Sequence, residues 1–250
     1  MIELLHIDCM EYMKALPNNA FDLAIVDPPY GVGSVTYMPR SRHPAFGGFI
    51  DRYDVTVATL DVNQRRRVKT EISHPQCADT TIRNFGDDNV APPPEYFDEL
   101  FRVSKHQIIW GGNYFLLPPS RGFIVWDKVQ PERFSMAMCE FAWISFNANS
   151  KIFRRVPMAG KEGGRIHPTQ KPVALYRWIL KNYANPGDRI LDTHLGSGSI
   201  AIACHELGFD LIGCEIDADY YNAAKQRLEN FQRQQLLNLN TETDDERPET

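Results

Sequence analysis

An apolar run that ends in two prolines constrains the fold of this chain more than any other feature. Residues 21–26 (Phe-Asp-Leu-Ala-Ile-Val) have the composition and length of a buried β-strand. The segment Asp27-Pro28-Pro29-Tyr30 follows directly, and its prolines end the strand because they cannot continue a hydrogen-bond ladder. Ligands bind at the carboxyl edge of open α/β sheets. The sequence therefore predicts an acid, a rigid turn and an aromatic ring together at that edge.

This tetrapeptide suits a planar ligand that carries an amino group. Asp27 can accept a hydrogen bond from an NH2 group, the Pro28 carbonyl can accept its second hydrogen, and Tyr30 can stack on the ring. The same residues would also form a plain turn at the end of a strand, because Asp is a common turn residue. The tetrapeptide alone leaves both interpretations open, and the rest of the chain decides between them.

Segments with strand character and segments with helical character alternate along the chain. The seven predicted strands cover residues 2–7, 21–26, 107–110, 123–126, 141–146, 189–191 and 210–214. The predicted helices cover residues 9–16, 94–104, 172–183, 199–207 and 217–237. Such alternation predicts an α/β fold with a mostly parallel sheet and helices on both of its faces.

At 250 residues the chain has the length of one large domain, or of one domain with an insertion. Residues 31–93 fit no layer of such a fold, since they are basic in their first part and rich in Gly, Pro and polar residues. A stretch this long is usually functional or mobile. We predict a single domain over residues 1–237, an inserted basic loop region at about 31–93, and an acidic disordered tail over 238–250.

The distribution of charge matters more than its sum. The net charge is −5, which at first argues against a nucleic-acid partner. Residues 240–250 contribute −4 of it, because they contain five acidic residues and one arginine. Residues 151–189, by contrast, contain nine basic and two acidic residues. Local basic patches bind phosphates whatever the net charge, although a charged run is more often a solvated face.

The cysteines and the apolar segments indicate the compartment. The five cysteines are scattered and form no Cys-x-x-Cys pair, which predicts reduced thiols and no metal site. No segment approaches the roughly 20 apolar residues that span a membrane. The first residues lack the basic segment and apolar region of a secretion signal. We therefore expect a cytoplasmic protein without membrane contact.

A second constellation lies near the end of the chain. Residues 188–199 form a predicted strand, a glycine turn with Gly196 and Gly198, and the start of a helix. The next predicted strand ends at Glu215, about 20 residues further on, where an acid grips a ribose diol in dinucleotide folds. The full Gly-x-Gly-x-x-Gly phosphate motif is absent from the sequence. The turn therefore predicts a nucleoside ligand without a pyrophosphate.

A third segment, His167-Pro168-Thr169-Gln170-Lys171-Pro172, is a rigid polar turn that leads into a helix. In this order, the three segments resemble the β-class of S-adenosylmethionine-dependent amino-methyltransferases of DNA, the N6-adenine/N4-cytosine methylase family. The resemblance spans residues from about 4 to 232 and leaves out residues 31–93 and the tail. It implies a class I methyltransferase fold: Rossmann-like, doubly wound, with a seven-stranded mixed sheet in circularly permuted order.

The resemblance also implies a cofactor, S-adenosyl-L-methionine, and residues that bind it. Glu215 would bind the ribose hydroxyls, and the step Asp8-Cys9 would lie near the adenine. Asp8 would also serve as the N-cap of the first helix, and the two roles are compatible. Lys171 would lie near the methionine carboxylate or in the wall of the site. The predicted cofactor-binding residues are Asp8, Cys9, Lys171, Asp192, Gly196, Ser197, Gly198 and Glu215.

The reaction implied is methyl transfer to the exocyclic N6 of adenine in double-stranded DNA, with the base flipped out of the helix. The predicted catalytic residues are Asp27, Pro28, Pro29 and Tyr30. Residues 31–93 are the candidate DNA-recognition region. Family members that methylate N4 of cytosine more often have Ser in place of Asp27, so adenine is favoured.

Other functions remain open at this point. They are N4-cytosine methylation, methylation of RNA or of a glutamine side chain, and DNA binding without turnover. The predicted helix over residues 217–237 allows either a homodimer or a helix packed on its own sheet.

Overall fold

The computed structural model describes residues 1–31, 90–131, 137–157, 166–167 and 169–244. The insertion predicted at residues 31–93 lies outside the described residues apart from its two ends, and residues 245–250 also lie outside them. The basic segment at residues 147–165 is described as far as residue 157.

Eight strands of the described residues form a single mixed sheet. They are β1 (Ile2–His6), β2 (Phe21–Val26), β3 (Ser104–Trp110), β4 (Phe123–Asp127), β5 (Cys139–Ile144), β6 (Lys151–Arg154), β7 (Arg189–Asp192) and β8 (Asp210–Glu215). Their spatial order is β1-β8-β7-β2-β3-β5-β4-β6. The first five strands in this order are parallel to one another, β5 is antiparallel to β3 and β4, and β6 is parallel to β4.

The described residues contain five α-helices, four of which lie between strands in the chain, while the fifth follows β8. They are α1 (Cys9–Lys14), α2 (Pro94–Val103), α3 (Val173–Tyr183), α4 (Ser199–Leu207) and α5 (Ala218–Asp244), and one turn of 3-10 helix covers Gly112–Tyr114. β7 and β8 come last in the chain and yet insert between β1 and β2. This is the circularly permuted arrangement of the class I methyltransferase fold, and the predicted fold class is confirmed.

The predicted count of seven strands is wrong by one, because β6 lies in the stretch of residues 151–189, whose basic residues gave no sign of a strand. β6 has four residues, and its side chains are exposed apart from Phe153, which is half-buried. It pairs with β4 through its backbone, in the register Ile124 with Lys151 to Asp127 with Arg154. An edge strand held in this way leaves no apolar pattern in the sequence.

Helix α5 continues to Asp244, so the predicted helix end at residue 237 is wrong. Residues 238–244 contain neither proline nor glycine, and nothing in that stretch ends a helix that has already formed. An acidic composition alone was the basis for the predicted disorder.

Both faces of the sheet are covered, and β2 shows why the sequence there is a continuous apolar run. Leu23 and Ile25 pack in a core cluster with residues of α3 and α4. Ala24 and Val26 pack in a second cluster with residues of α1 and α2. A strand buried on both faces loses the alternation of apolar and polar residues. Because parallel strands end at one edge, β1, β2, β7 and β8 bring their carboxyl ends together there.

Candidate active site

The segment Asp27-Pro28-Pro29-Tyr30 follows β2 at this carboxyl edge. The Tyr30 hydroxyl donates a hydrogen bond to Asp27 Oδ1 at 2.7 Å. Burial raises the pKa of Tyr30, and the negative charge of Asp27 raises it further, so the phenol stays a neutral donor. Pro28 is buried, and Asp27 is half-buried. The turn thus orients its own carboxylate.

The Tyr30 ring is fixed as well as its hydroxyl. It stacks on the ring of Tyr114, with 5.1 Å between centroids and 17° between planes, and it meets the edge of Phe115. A Cβ atom on Gly111 would lie 2.2 Å from the Tyr30 ring, and Gly111 has a φ of +69°. Glycine is therefore required at position 111 for both the backbone and the close approach of the ring.

Lys171 holds the other oxygen of the Asp27 carboxylate. Its ammonium forms a close ion pair with Asp27 Oδ2 and lies 3.0 Å from Glu140 Oε2. The residue is only 3% exposed, and its Nζ lies 5.1 Å from the centroid of the Trp110 ring. Burial lowers the pKa of Lys171, but the carboxylates of Asp27 and Glu140 outweigh this and raise it. Lys171 is therefore a buried cation.

Glu140 connects Lys171 to a second lysine. Lys128 Nζ lies 2.6 Å from Glu140 Oε1, so each oxygen of this carboxylate faces an ammonium group. Burial raises the pKa of Glu140, but the charges of Lys171 and Lys128 outweigh this and lower it below its ordinary value. Charges of alternating sign thus run from Lys128 through Glu140 and Lys171 to Asp27.

Next to the glycine turn, Glu215 at the end of β8 is held by backbone groups. The amide of Gly196 donates to Glu215 Oε2 at 2.8 Å, and the amide of Asp217 donates to Oε1 at 3.0 Å. The carboxylate therefore connects the glycine turn to the start of α5. Burial raises the pKa of Glu215.

Asp192, at the end of β7, is 2% exposed and accepts a hydrogen bond from the His194 amide at 3.0 Å. Burial raises the pKa of Asp192 to about 8, and the charges of Asp27 and Glu215 contribute to the increase. Asp192 therefore lies within the electrostatic reach of both the Asp27 turn and the glycine turn.

Helix α5 supports the glycine turn from behind. Arg227 Nη1 donates to the Ser197 carbonyl at 2.8 Å and to Ser199 Oγ at 2.9 Å. A Cβ atom on Gly198, whose φ is +67°, would lie 3.1 Å from Ala224 Cβ. The glycine lets the turn pack closely on the helix.

Asp8 and Cys9 follow β1 at the same edge. Asp8 Oδ1 accepts hydrogen bonds from the amides of Met10 at 2.7 Å and Glu11 at 3.1 Å, which confirms the N-cap predicted for α1. Burial raises the pKa of Cys9 to about 12, and this thiol stays protonated.

His194 ends a chain of hydrogen bonds in the same region. Tyr96 Oη lies 2.6 Å from Thr193 Oγ1, which lies 2.9 Å from His194 Nδ1. Burial lowers the pKa of His194 to about 4, so the ring is neutral at physiological pH.

The third segment of the sequence signature connects the two halves of the site. The His167 ring lies 3.6 Å from the position of a Cβ atom on Gly196, and it packs edge-on against Tyr220 of α5. Four residues later, Lys171 is paired with Asp27. Lys171 was predicted near the methionine end of the cofactor or in the wall of the site, and its ammonium lies on the Asp27 carboxylate.

The predicted site residues thus lie in two neighbouring groups at one edge of the sheet. The first group is Asp27 to Tyr30 with Lys171, and the second group is Asp8, Cys9, Asp192, Gly196, Ser197, Gly198 and Glu215. Sequence reasoning missed the residues that hold the first group, namely Gly111, Tyr114, Lys128 and Glu140. The only local sign of Glu140 is an acid in the otherwise apolar strand β5.

Among the described residues, no cluster of three His, Cys, Asp or Glu side chains could hold a metal ion. The same residues include no helix long and apolar enough to span a membrane.

The chain matches a known protein family. The family model N6_N4_Mtase, described as DNA methylase, matches residues 63–226. The chain belongs to this DNA methylase family. It is a family of methyltransferases that use S-adenosyl-L-methionine as cofactor.

Individual relatives have low sequence identity to this chain, but their alignments cover most of it. The type II methyltransferase M.HinfI of Haemophilus influenzae is 24% identical over 88% of this chain, which spans 66% of that protein. The putative methylase YubD of Escherichia coli K12 is 27% identical over 90% of this chain and 89% of its own length.

Solved structures share the fold. The complex of M1.HpyAVI with SAM has a TM-score of 0.51 at 22% identity, covering 91% of this chain and 100% of that one. The cytosine-N4-specific PvuII DNA methyltransferase has a TM-score of 0.51 at 11% identity, covering 90% and 86%.

Proposed function

We propose that this DNA methyltransferase moves a methyl group from S-adenosyl-L-methionine to the exocyclic N6 of an adenine flipped out of double-stranded DNA. One observation carries the proposal. The Asp27 carboxylate is fixed by Tyr30 and Lys171 at the same sheet edge as the glycine turn and Glu215. An acceptor for an amine and a nucleoside site are thereby neighbours. Asp at position 27 favours adenine over cytosine.

The residues of the second group fit the cofactor. Glu215 lies at the tip of β8, where its remaining lone pairs can accept hydrogen bonds from a ribose diol. Asp8 uses Oδ1 for the helix cap, and its other oxygen can accept from an adenine amino group. The backbone of the turn at Gly196 and Ser197 would lie along the methionine part.

When bound, the cofactor supplies an electrophilic methyl group on a sulfonium sulfur. The chain itself has to position and polarise the amine, whose lone pair is delocalised into the adenine ring. Asp27 and the Pro28 carbonyl would accept its two hydrogens and favour the tetrahedral nitrogen of the transition state. Each oxygen of Asp27 is already held by a protein donor but keeps a lone pair for this purpose.

Asp27 acts in this mechanism as a fixed acceptor of hydrogen bonds. Its charge is balanced by Lys171, so a strong base is neither present nor needed. The nitrogen becomes acidic once it is alkylated, and its proton leaves through the carboxylate or to water. Cys9 contributes no covalent step, because its thiol stays protonated.

The aromatic residues next to Asp27 provide a surface for the extruded base. Tyr114 stacks on Tyr30, and 49% of Tyr114 is exposed. Stacking on such a platform is worth about 1–3 kcal/mol per base. The basic side chains within residues 31–93 would contact the DNA backbone and contribute a binding energy that weakens as the salt concentration rises.

The experiment is nucleoside mass spectrometry of DNA treated with the purified protein and labelled S-adenosylmethionine. We expect N6-methyladenine, and we expect about 1,000-fold slower formation of it by the variant Asp27→Ala, whose folding is verified by circular dichroism. N4-methylcytosine in place of N6-methyladenine would overturn the choice of base. DNA that is bound but unmodified would identify a binding protein without turnover.

A further inference from the structure

A buried cation shared between two carboxylates is an unusual way to hold an acceptor. Lys171 is 3% exposed and contacts both Asp27, which directly follows β2, and Glu140, which lies in β5. Buried ion pairs contribute little net stability, because the cost of desolvating two charges offsets their attraction. The position of this pair next to the proposed amine acceptor therefore calls for a functional explanation.

We propose that Lys171 and Glu140 are positioning residues that keep Asp27 in the charge state and orientation needed for methyl transfer. The inference rests on the proposed function. Lys171 fixes Asp27 Oδ2, while Glu140 fixes Lys171 from the other side and is itself held by Lys128 at 2.6 Å. Neither residue needs to touch the cofactor or the base.

The geometry gives Lys171 a second task, which is to separate two negative charges. Asp27 and Glu140 both contact the same ammonium group, so without it two half-buried carboxylates would face each other across its place. Like charges this close favour retention of a proton by the pair. A protonated pair would offer the amine a weaker acceptor and would lower the rate.

Other charged and titratable groups face Asp27, Glu140 and Lys171 and contribute to the electrostatic potential there. They are Tyr30 on the same turn, Lys128 next to β4, Tyr176 of α3 and Asp192 of β7. Burial keeps both tyrosines neutral, since it raises the pKa of each. Lys171 is therefore the cation that offsets Asp27 directly, and its removal leaves Lys128 to offset Glu140.

The test is a double-mutant cycle with Lys171→Met and Glu140→Gln. We expect Lys171→Met to lower kcat about 100-fold at pH 7, with KM for DNA and for S-adenosylmethionine within about threefold of wild type. Glu140→Gln in the same chain removes the repulsion. We therefore expect the double variant to regain about tenfold in kcat over Lys171→Met, although Glu140→Gln alone lowers kcat.

The pH profile separates this role from a purely structural one. In Lys171→Met the acidic limb of the profile of kcat should move to higher pH, because the uncompensated carboxylates hold a proton longer. In the double variant it should move back. A residue that only supports the fold would change the amount of active enzyme at every pH and leave the shape of the profile unchanged.

A measurement without turnover guards against misfolding. Thermal unfolding from pH 5 to 8 should show Lys171→Met losing stability as pH rises, because a proton bound more tightly in the folded state stabilises it only at lower pH. The double variant should lose less. A double variant no more active than Lys171→Met, or a Lys171→Met with wild-type kcat, would overturn the inference. Wild-type protein that forms no methylated nucleoside would instead refute the proposed function.

Discussion

The two halves of the site hold their carboxylates in different ways. On the substrate side, Asp27 is held by side chains, the Tyr30 hydroxyl and the Lys171 ammonium. On the cofactor side, Glu215 is held by the backbone amides of Gly196 and Asp217. Backbone donors persist whatever side chains surround them, whereas side-chain donors can be lost by a single substitution. The substrate half is therefore the more sensitive to mutation, and the cofactor half depends chiefly on turn geometry.

The largest effect is expected at Asp27. Asp27→Ala removes the acceptor for the amine and should lower kcat by about 1,000-fold, as the loss of a preorganised electrostatic partner does in other enzymes. The affinity for S-adenosylmethionine, measured by isothermal titration calorimetry, should change less than threefold. If cofactor affinity fell in parallel with kcat, the two halves would not be separable in the way described.

Glu215→Ala tests the other half. Loss of a charged partner for the ribose diol should weaken S-adenosylmethionine binding by about 10–100-fold, from the energy of hydrogen bonds to charged groups. At saturating cofactor, kcat should approach the wild-type value. Glu215→Gln, which keeps an acceptor for the Gly196 amide, is the matched control and should bind the cofactor better than the alanine variant.

A smaller effect is expected of pH on the affinity for S-adenosylmethionine. Burial raises the pKa of Asp192 to about 8 in the free protein. A bound sulfonium cation favours the ionised carboxylate, so binding should release a proton below pH 8, and affinity should rise with pH until it levels off there. Calorimetry in buffers of different ionisation enthalpy measures the proton release. S-adenosylhomocysteine, whose sulfur is neutral, should show a weaker dependence, and an equal dependence would exclude Asp192 as its source.

The smallest effect concerns the glycine behind Tyr30. Gly111→Ala should displace the ring, loosen the bond from Tyr30 to Asp27 and lower kcat/KM several-fold, equivalent to about 1 kcal/mol. Gly187→Ala is the matched control, because Gly187 also has a positive φ but has no atom within 4 Å of the added Cβ. Equal losses of kcat/KM in both variants would assign the effect to backbone strain alone.

The same contrast explains how much could be predicted from the sequence. β2 was predicted with its observed bounds, because a strand, two prolines and an aromatic residue form a continuous pattern. Glu215 was predicted as a site residue because it ends a predicted strand, and Asp8 and Asp192 were predicted from the family resemblance; all three lie at or just after the ends of β1, β7 and β8. Contacts with backbone amides near in the chain are local, and local contacts are readable from a motif.

The contact of Lys171 with Asp27 and the part of Glu140 in it were not readable in this way. Lys171 is 144 positions from Asp27, and Glu140 lies in a strand without a recognisable motif. Their contact depends on the order of strands in the folded sheet and on the turn before α3, which local sequence does not encode. β6 was missed for a related reason, since its backbone pairing leaves no periodic signal.

The permuted strand order has a consequence for how this protein is made. β1 and β2 are synthesised before β7 and β8, yet β7 and β8 fill the space between them. Until β7 is complete at residue 192, β2 can pair only with β3, and until β8 is complete at residue 215, β1 lacks its partner in the described sheet. Unpaired strand edges promote aggregation, and long-range pairings form slowly. Nascent chains that stop before α4 should therefore depend on chaperones, and the sheet should close only after β8 has been synthesised.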